Sequence, residues 1–171
     1  MARSWNPTFK INLLNVLNDS YDGASIKDVL RGFVAESEFK QLYGQRVVDR
    51  IVDRTRDENI DRFGKSLGTY SKTYKESTIF QIYKSGTDVN LTQTGDMLES
   101  LNHVDSKYTI IVQLEGDENK GKAQGHITGI LGKFGRAKKR DFLGLPQKEL
   151  ISIFKDSMKD YRADAIAEIL V

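Results

Sequence analysis

The stretch Gly116–Ala123 nearly matches the phosphate-binding loop G-x-x-x-x-G-K-[ST]. In that loop, backbone amides and the lysine, here Lys122, hold the phosphates of a nucleotide. Ala123 lacks the hydroxyl that would hold magnesium, and Asp117 and Glu118 bring negative charge into the loop. We therefore interpret the stretch as a hairpin-like turn rather than as a nucleotide site.

Asp105, Glu118 and Lys120 follow the order acid, acid-x-lysine that is typical of metal-dependent nucleases. In such sites two carboxylates hold magnesium and the lysine assists the attacking water. Three residues of common types match this order easily. We therefore prefer the interpretation that these three residues simply lie in a turn and at the edge of a strand.

His103 and His126 are far apart in the sequence and have no carboxylate at ligand spacing, which favours packing or hydrogen-bonding roles over a metal site. The chain has no cysteine, so disulfides, thiolate ligands and cysteine nucleophiles are excluded. No serine lies in a G-x-S-x-G turn. We predict no catalytic residue, no metal, no cofactor and no enzymatic activity.

The basic segment, Asn119–Arg140, contains seven cations and no acidic residue, whereas acidic residues outnumber basic ones in the rest of the chain. Its recurring glycines predict a long loop. Three interpretations stay open: a solvated loop, an arm that contacts an acidic surface of a like subunit, and direct contact with DNA phosphates. The candidate contact residues are Lys120, Lys122, Lys133, Arg136, Lys138, Lys139 and Arg140.

The length and composition bound the kind of protein. A chain of 171 residues with 39% hydrophobic and 29% charged residues is typical of one globular domain. The first residues lack the apolar core of a secretory signal, and no apolar run approaches the ~20 residues of a membrane span. We expect a soluble protein that folds in a reducing cytoplasm.

Helical spacing of apolar residues predicts helices at both ends of the chain. Three fall in the N-terminal part, over Phe9–Leu17, Ser25–Ala35 and Ser37–Ile60. Pro146 suits the first position of a last helix, which the apolar spacing extends to Leu170.

The middle of the chain favours strands. Val104 and Tyr108–Leu114 form the clearest strand signal, and Ile79–Tyr83 and Phe142–Leu145 are weaker ones, with a short helix over Thr94–Leu101. This order predicts an α+β fold, in which a central antiparallel sheet packs with the N-terminal and C-terminal helices beside a long basic loop. We expect a helical region at residues 1–62 and an α+β core at 63–171, in one compact domain overall.

Four segments, taken in order, resemble a known family. They are Leu67–Lys75, Leu91–Leu101, Ala123–Gly129 and Lys138–Leu145. Their order is similar to that of the tailed-phage virion morphogenesis proteins, also called tail-completion or neck proteins. In that family a T-x-T-G segment opens a helix, an alanine precedes a histidine and a glycine, and F-L-G-L precedes the last helix. The matching residues are Thr92, Thr94, Gly95, Leu98, Ala123, His126, Gly129, Phe142, Leu143, Gly144 and Leu145.

The chain also departs from the family pattern. Lys122 stands where the family usually has tyrosine, Ile127 where it has glutamine, and Lys138 and Asp141 where it has prolines. These departures put the path of the loop between the last two segments in doubt.

The resemblance implies a non-enzymatic virion subunit at the head–tail junction or the tail end, assembled in the host cytoplasm. It implies a homo-oligomeric ring, a hexamer around the DNA channel, that touches neck, connector or tail-tube proteins and packaged DNA, with no membrane. The basic segment would reach out and Phe142–Leu145 would attach it to the sheet. The alternative is a non-specific DNA-binding protein that uses residues 119–140.

Overall fold

The computed structural model describes residues 6–83, 86, 88–89, 91, 96–130 and 138–163. In chain order these residues form β1 (Thr8–Asn12), α1 (Leu13–Ser20), α2 (Ala24–Val34), α3 (Ser37–Arg56), α4 (Lys72–Lys75), α5 (Thr78–Tyr83), α6 (Asp96–Glu99), β2 (Leu101–Ser106), β3 (Thr109–Leu114), α7 (Asp117–Thr128) and α8 (Gln147–Tyr161). None of the helices in these ranges is long and apolar enough to cross a membrane.

The sheet has the strand order β1-β3-β2, and both neighbours pair antiparallel with β3. Along β3 the side chains of Ile110, Val112 and Leu114 are buried, and those between them are half-buried. This period of two is typical of a sheet with one face against the core. The predicted central strand and the α+β class, with helices packed on an antiparallel sheet, are confirmed.

Helix α3 connects the sheet to the last helix. It packs on β2 and β3 and also on α8. The rings of Tyr43 and Phe154 meet edge to face, with centroids 5.6 Å apart, and the Tyr43 hydroxyl donates to the Leu150 carbonyl at 3.3 Å. At the surface, Arg46 pairs with Asp160 at 2.6 Å. The predicted second and third helices are thus confirmed as α2 and α3, although α3 ends at Arg56 rather than near Ile60.

The prediction of a first helix over Phe9–Leu17 is wrong in its first half. Phe9 lies in β1, where it pairs with Val112 of β3. Asn12 is extended, and its Oδ1 accepts hydrogen bonds from the amides of Leu14 (3.0 Å) and Asn15 (3.2 Å). Because this cap ends the strand and begins the helix at once, α1 starts only at Leu13.

Two of the three predicted strands are wrong. Ile79–Tyr83 lies in helix α5, since the Ser77 hydroxyl accepts a hydrogen bond from the Phe80 amide (3.2 Å) and caps the turn that follows. Phe142–Leu145 forms no strand; it is a buried connection in which Gly144 has a positive φ of 141°.

The prediction of a hairpin-like turn and a long loop after β3 is also wrong over residues 117–128, which form helix α7. Gly116 precedes the helix with a φ of 74°, and Asp117 and Glu118 lie in its first turn, where carboxylates are favourable. Gly129 follows it in the left-handed conformation that helix ends favour. The part of the basic segment at residues 131–137 lies outside the described residues.

Two helix ends differ from expectation. The helix predicted over Thr94–Leu101 is α6, which ends at Glu99 because Leu101 begins β2; Thr94 lies outside the described residues. Helix α8 ends at Tyr161, where Arg162 leaves the helical conformation, and the predicted continuation falls largely on residues 164–171, outside the description.

Candidate interaction site

Arg140 joins three segments that are distant in sequence. Its backbone amide donates to the carbonyl of His126, in the last turn of α7, at 2.8 Å. Its guanidinium Nε donates to the carbonyl of Leu67 at 3.3 Å. Burial lowers the pKa of Arg140 below its usual range, although a guanidinium keeps its charge at neutral pH. A cation predicted to reach outward is therefore partly used to hold its own subunit together.

The backbone around Gly68 fits closely against the start of the last connection. Gly68 has a φ of 90°, and its carbonyl accepts a hydrogen bond from the Val89 amide at 2.8 Å. A Cβ at this position would lie 2.8 Å from the Lys138 Nζ. The positive φ favours glycine here, whereas the exposed Lys138 ammonium can move aside.

The Phe142–Leu145 segment attaches to the core. Phe142, Leu143 and Leu145 are buried. A Cβ added to Gly144 would lie 3.3 Å from the Phe9 ring and 3.3 Å from the Arg62 side chain. Arg62 in turn pairs with Asp141 at 3.1 Å, and its amide donates to the Asp141 carbonyl at 2.9 Å. The apolar end of the basic segment thus belongs to the core of its own subunit.

His126 lies beside Arg140 with most of its ring buried. Its Nδ1 is buried and has no hydrogen-bond partner among the described residues. Burial, reinforced by the charge of Arg140, lowers the pKa of His126 to about 4. The imidazole is therefore neutral at physiological pH.

The family-motif residues within the description are mostly buried. Leu98 and Ala123 lie in the core, where α6 and α7 pack together, and His126 and Gly129 form the end of α7. Of these residues, His126 bonds directly to Arg140, through its backbone carbonyl. Thr92, Thr94 and Gly95 lie outside the described residues.

The basic segment separates into residues with different surroundings. Lys120 pairs with Asp117 at 3.6 Å, and Lys122 pairs with Glu118 at 2.8 Å, both along α7. Lys138 and Lys139 are exposed. Lys133 and Arg136 lie outside the described residues.

Exposed Lys138 and Lys139 belong to a larger surface at the C-terminal end of α7. The loop whose Arg62 amide bonds to the Asp141 carbonyl adds exposed Phe63 and Lys65, and Ile130 follows the helix. Phe63 and Ile130 are each 61% exposed, which is high for large apolar residues. We call this set (Phe63, Lys65, Ile130, Lys138 and Lys139) the basic face.

Carboxylates gather at the opposite end of α7, and sequence reasoning missed this surface. Helix α6 and the Glu115–Glu118 stretch meet here, since the Glu115 amide donates to the Ser100 carbonyl at 2.9 Å. The exposed carboxylates, which we call the acidic face, are Asp96, Glu99, Glu115, Asp117 and Glu118. Only the fold brings the residues of α6 beside those of α7.

The two catalytic patterns weighed in the sequence do not form sites. The stretch that resembles a phosphate loop is the first half of α7, with Lys122 paired to Glu118. Asp105 pairs instead with Lys40 at 2.6 Å, near the end of β2 that is far from Glu118; the four strand residues up to Leu101 span ~13 Å. Within the described ranges, no three His, Asp or Glu side chains are grouped to hold a metal.

No protein-family model, no curated protein and no solved structure matches this chain.

Proposed function

We propose that this protein is a structural subunit of a tailed-phage virion, a tail-completion, tail-terminator or neck protein that joins the tail to the head. The observation that carries the proposal is that three of the four segments that resemble the family meet at Arg140. Leu67 and His126 are 59 residues apart, yet both carbonyls accept hydrogen bonds from Arg140. A motif order shared with a family gains weight when the motifs form one structural unit.

The proposed role is assembly rather than catalysis. The subunit forms a ring with copies of itself, a hexamer around the DNA channel, and contacts connector, neck or tail-tube proteins. The separation of a basic face from an acidic face supports association of like subunits, because each surface suits the other on a second copy. Assembly takes place in the host cytoplasm, and the completed virion carries the ring at the head–tail junction or the tail end.

Non-specific DNA binding is the second candidate, and the exposed ammonium groups of Lys65, Lys138 and Lys139 favour it. A protein that binds DNA through such groups releases counterions, so its affinity falls steeply as salt rises. Titration of a DNA duplex at several salt concentrations tests this candidate. A ring subunit is expected to bind the duplex weakly before it assembles.

The proposed function is tested on the intact chain and on particles. We expect light scattering to give the mass of a closed oligomer, and electron microscopy of particles carrying a labelled chain to place the label at the head–tail junction or tail end. A chain that stays monomeric at high concentration and is absent from purified particles would refute the proposal.

A further inference from the structure

The basic face and the acidic face of one subunit cannot neutralise each other. They lie at opposite ends of α7, whose twelve residues span ~18 Å. The Debye length at physiological ionic strength is only about 8 Å, so exposed charges this far apart are largely screened from each other. Neither surface is therefore neutralised by the other within one subunit.

The ion pairs formed within each face do not cancel its charge, so each face keeps an excess of one sign of charge. At the acidic face Lys120 and Lys122 pair with Asp117 and Glu118, whereas Glu99 and Glu115 have no ion pair among the described residues. Beside the basic face Asp141 pairs with Arg62, while the Asp61 carboxylate accepts the amides of Phe63 and Lys65, both at 2.9 Å. The three lysines of the basic face have no ion pair among the described residues.

The basic face also exposes apolar surface between its cations. Phe63 follows Arg62, whose amide bonds to Asp141, and Ile130 follows the α7 end that bonds to Arg140, so both flank the Lys138–Asp141 strip. A nucleic acid backbone would use the cations and leave Phe63 and Ile130 in water. A protein surface that is acidic at its rim uses both, because apolar residues favour the centre of an interface.

We infer that the basic face docks on the acidic face of a second copy of this chain. The occupant is a like subunit because the same molecule supplies the complementary charges at the other end of α7. Pairing basic face with basic face is disfavoured by like-charge repulsion. Repeated from copy to copy, this contact closes into a ring or extends into a filament; used twice within one pair, it gives a dimer.

Charge reversal at each face tests the inference. Lys138→Glu with Lys139→Glu makes the basic face negative, and Glu99→Lys with Glu115→Lys makes the acidic face positive while leaving the first turn of α7 intact. Each variant alone should need at least about tenfold more protein for half-maximal association, because it sets like charges against each other. An equimolar mixture of the two should recover association, since every contact in an alternating assembly again joins opposite charges.

The control for the basic-face variant is Lys107→Glu with Lys155→Glu, which lowers the net charge by the same amount at exposed positions outside both faces. This control should associate like the parent chain. Thermal melting followed by circular dichroism verifies that each variant folds. If a double variant fails to fold, the single substitution Lys139→Glu or Glu99→Lys takes its place. Sedimentation velocity over a concentration series measures association.

The outcomes separate this inference from the proposed function, on which it rests only for the expectation that copies associate. Recovery in the mixture supports the inference, and a recovered dimer supports it while overturning the ring. The inference is overturned if the parent chain is monomeric, if a variant changed at one face associates as strongly as the parent, or if the mixture of the two variants does not associate. If the basic-face variant loses binding to a DNA duplex while the mass of its oligomer is unchanged, the surface binds DNA and the inference is also overturned.

Discussion

Gly44 lies within α3, where the imidazole of His103 packs on the helix. A Cβ on Gly44 would lie 2.5 Å from the His103 Nδ1, closer than real Cβ contacts allow. Alanine in place of glycine normally stabilises a helix by up to about 1 kcal/mol. We expect Gly44→Ala to lower the free energy of unfolding by about 1–3 kcal/mol instead, as overpacking does. Urea unfolding followed by circular dichroism measures this change.

Gly32 provides the matched control, because it lies in α2 with nothing within 4 Å of a Cβ. Gly32→Ala should raise the free energy of unfolding by about 0.4–1 kcal/mol. Adding His103→Ala to Gly44→Ala should remove the clash, so the double variant should be less destabilised than the two single losses added together. If Gly44→Ala and Gly32→Ala raise the free energy of unfolding by similar amounts, His103 does not restrict the residue at position 44.

His126 should make stability depend on pH. Its pKa falls from an ordinary 6.5 to about 4 in the folded protein, chiefly through burial and then through the charge of Arg140. Below pH 6.5 the unfolded chain binds a proton that the folded protein does not, so stability is lost as the pH falls toward 4. Between pH 7 and pH 5 we expect a loss of roughly 2 kcal/mol from this group, measured by urea unfolding at each pH.

The second histidine must be separated from the first. Burial also lowers the pKa of His103, against the opposing effect of Asp105, so His103 adds a loss in the same direction. The loss specific to His126 is the part that disappears in His126→Gln. If the stability of His126→Gln depends on pH as that of the parent does, His126 takes up its proton as readily in the folded protein as in the unfolded chain.

At the scale of elements, periodicity predicted those with strong apolar stripes. Helices α2 and α3 and strand β3 follow from their spacing alone. Helix α7 was missed because only Ala123 and Gly125 are buried along it, and its glycines resemble a loop. Strand β1 was missed because Phe9 and Ile11 precede the α1 stripe without a visible break, and only pairing with β3 reveals the extended backbone.

The connection from Arg140 to α8 shows how tertiary contacts decide an element. The Phe142–Leu145 run reads as a strand by composition, but it pairs with neither edge strand of the β1-β3-β2 sheet. Its side chains fill the core without a strand partner in the described chain. Burial of this segment was thus predictable from its apolar residues, whereas its backbone conformation was not.

Phe142 should be the main stabilising residue of that connection. Its side chain is 1% exposed, so truncation removes buried apolar surface and leaves a cavity. We expect Phe142→Ala to lower the free energy of unfolding by about 3 kcal/mol, measured by thermal and urea unfolding. Phe63→Ala, at a ring that is 61% exposed, is the control and should change stability little. An unchanged melting temperature for Phe142→Ala would contradict its buried position.

At the scale of the whole molecule, the sequence located Lys138 and Lys139 of the basic face, but neither Lys65 nor the arrangement of the face. The excess of positive charge over Asn119–Arg140 is visible by counting. Its division into Lys120 and Lys122 on α7, exposed Lys138 and Lys139, and half-buried Arg140 depends on partners from distant segments. The acidic face was not predictable, because its members are ordinary surface residues until α6 packs on α7.

The N-terminal and C-terminal parts should fold as one unit. The predicted division at residue 62 would separate β1 from β3 and α3 from α8, although β1 pairs along all five of its residues and α3 supplies Phe39 and Tyr43 to the aromatic cluster around Phe154. A fragment of residues 63–171 would expose one edge of β3 and the apolar faces of the sheet and of α8. We therefore expect the full chain to unfold in one cooperative transition, and the fragment to show none in thermal melting followed by circular dichroism. A fragment that melts cooperatively would establish residues 63–171 as an independent domain, with the N-terminal helices as an addition to it.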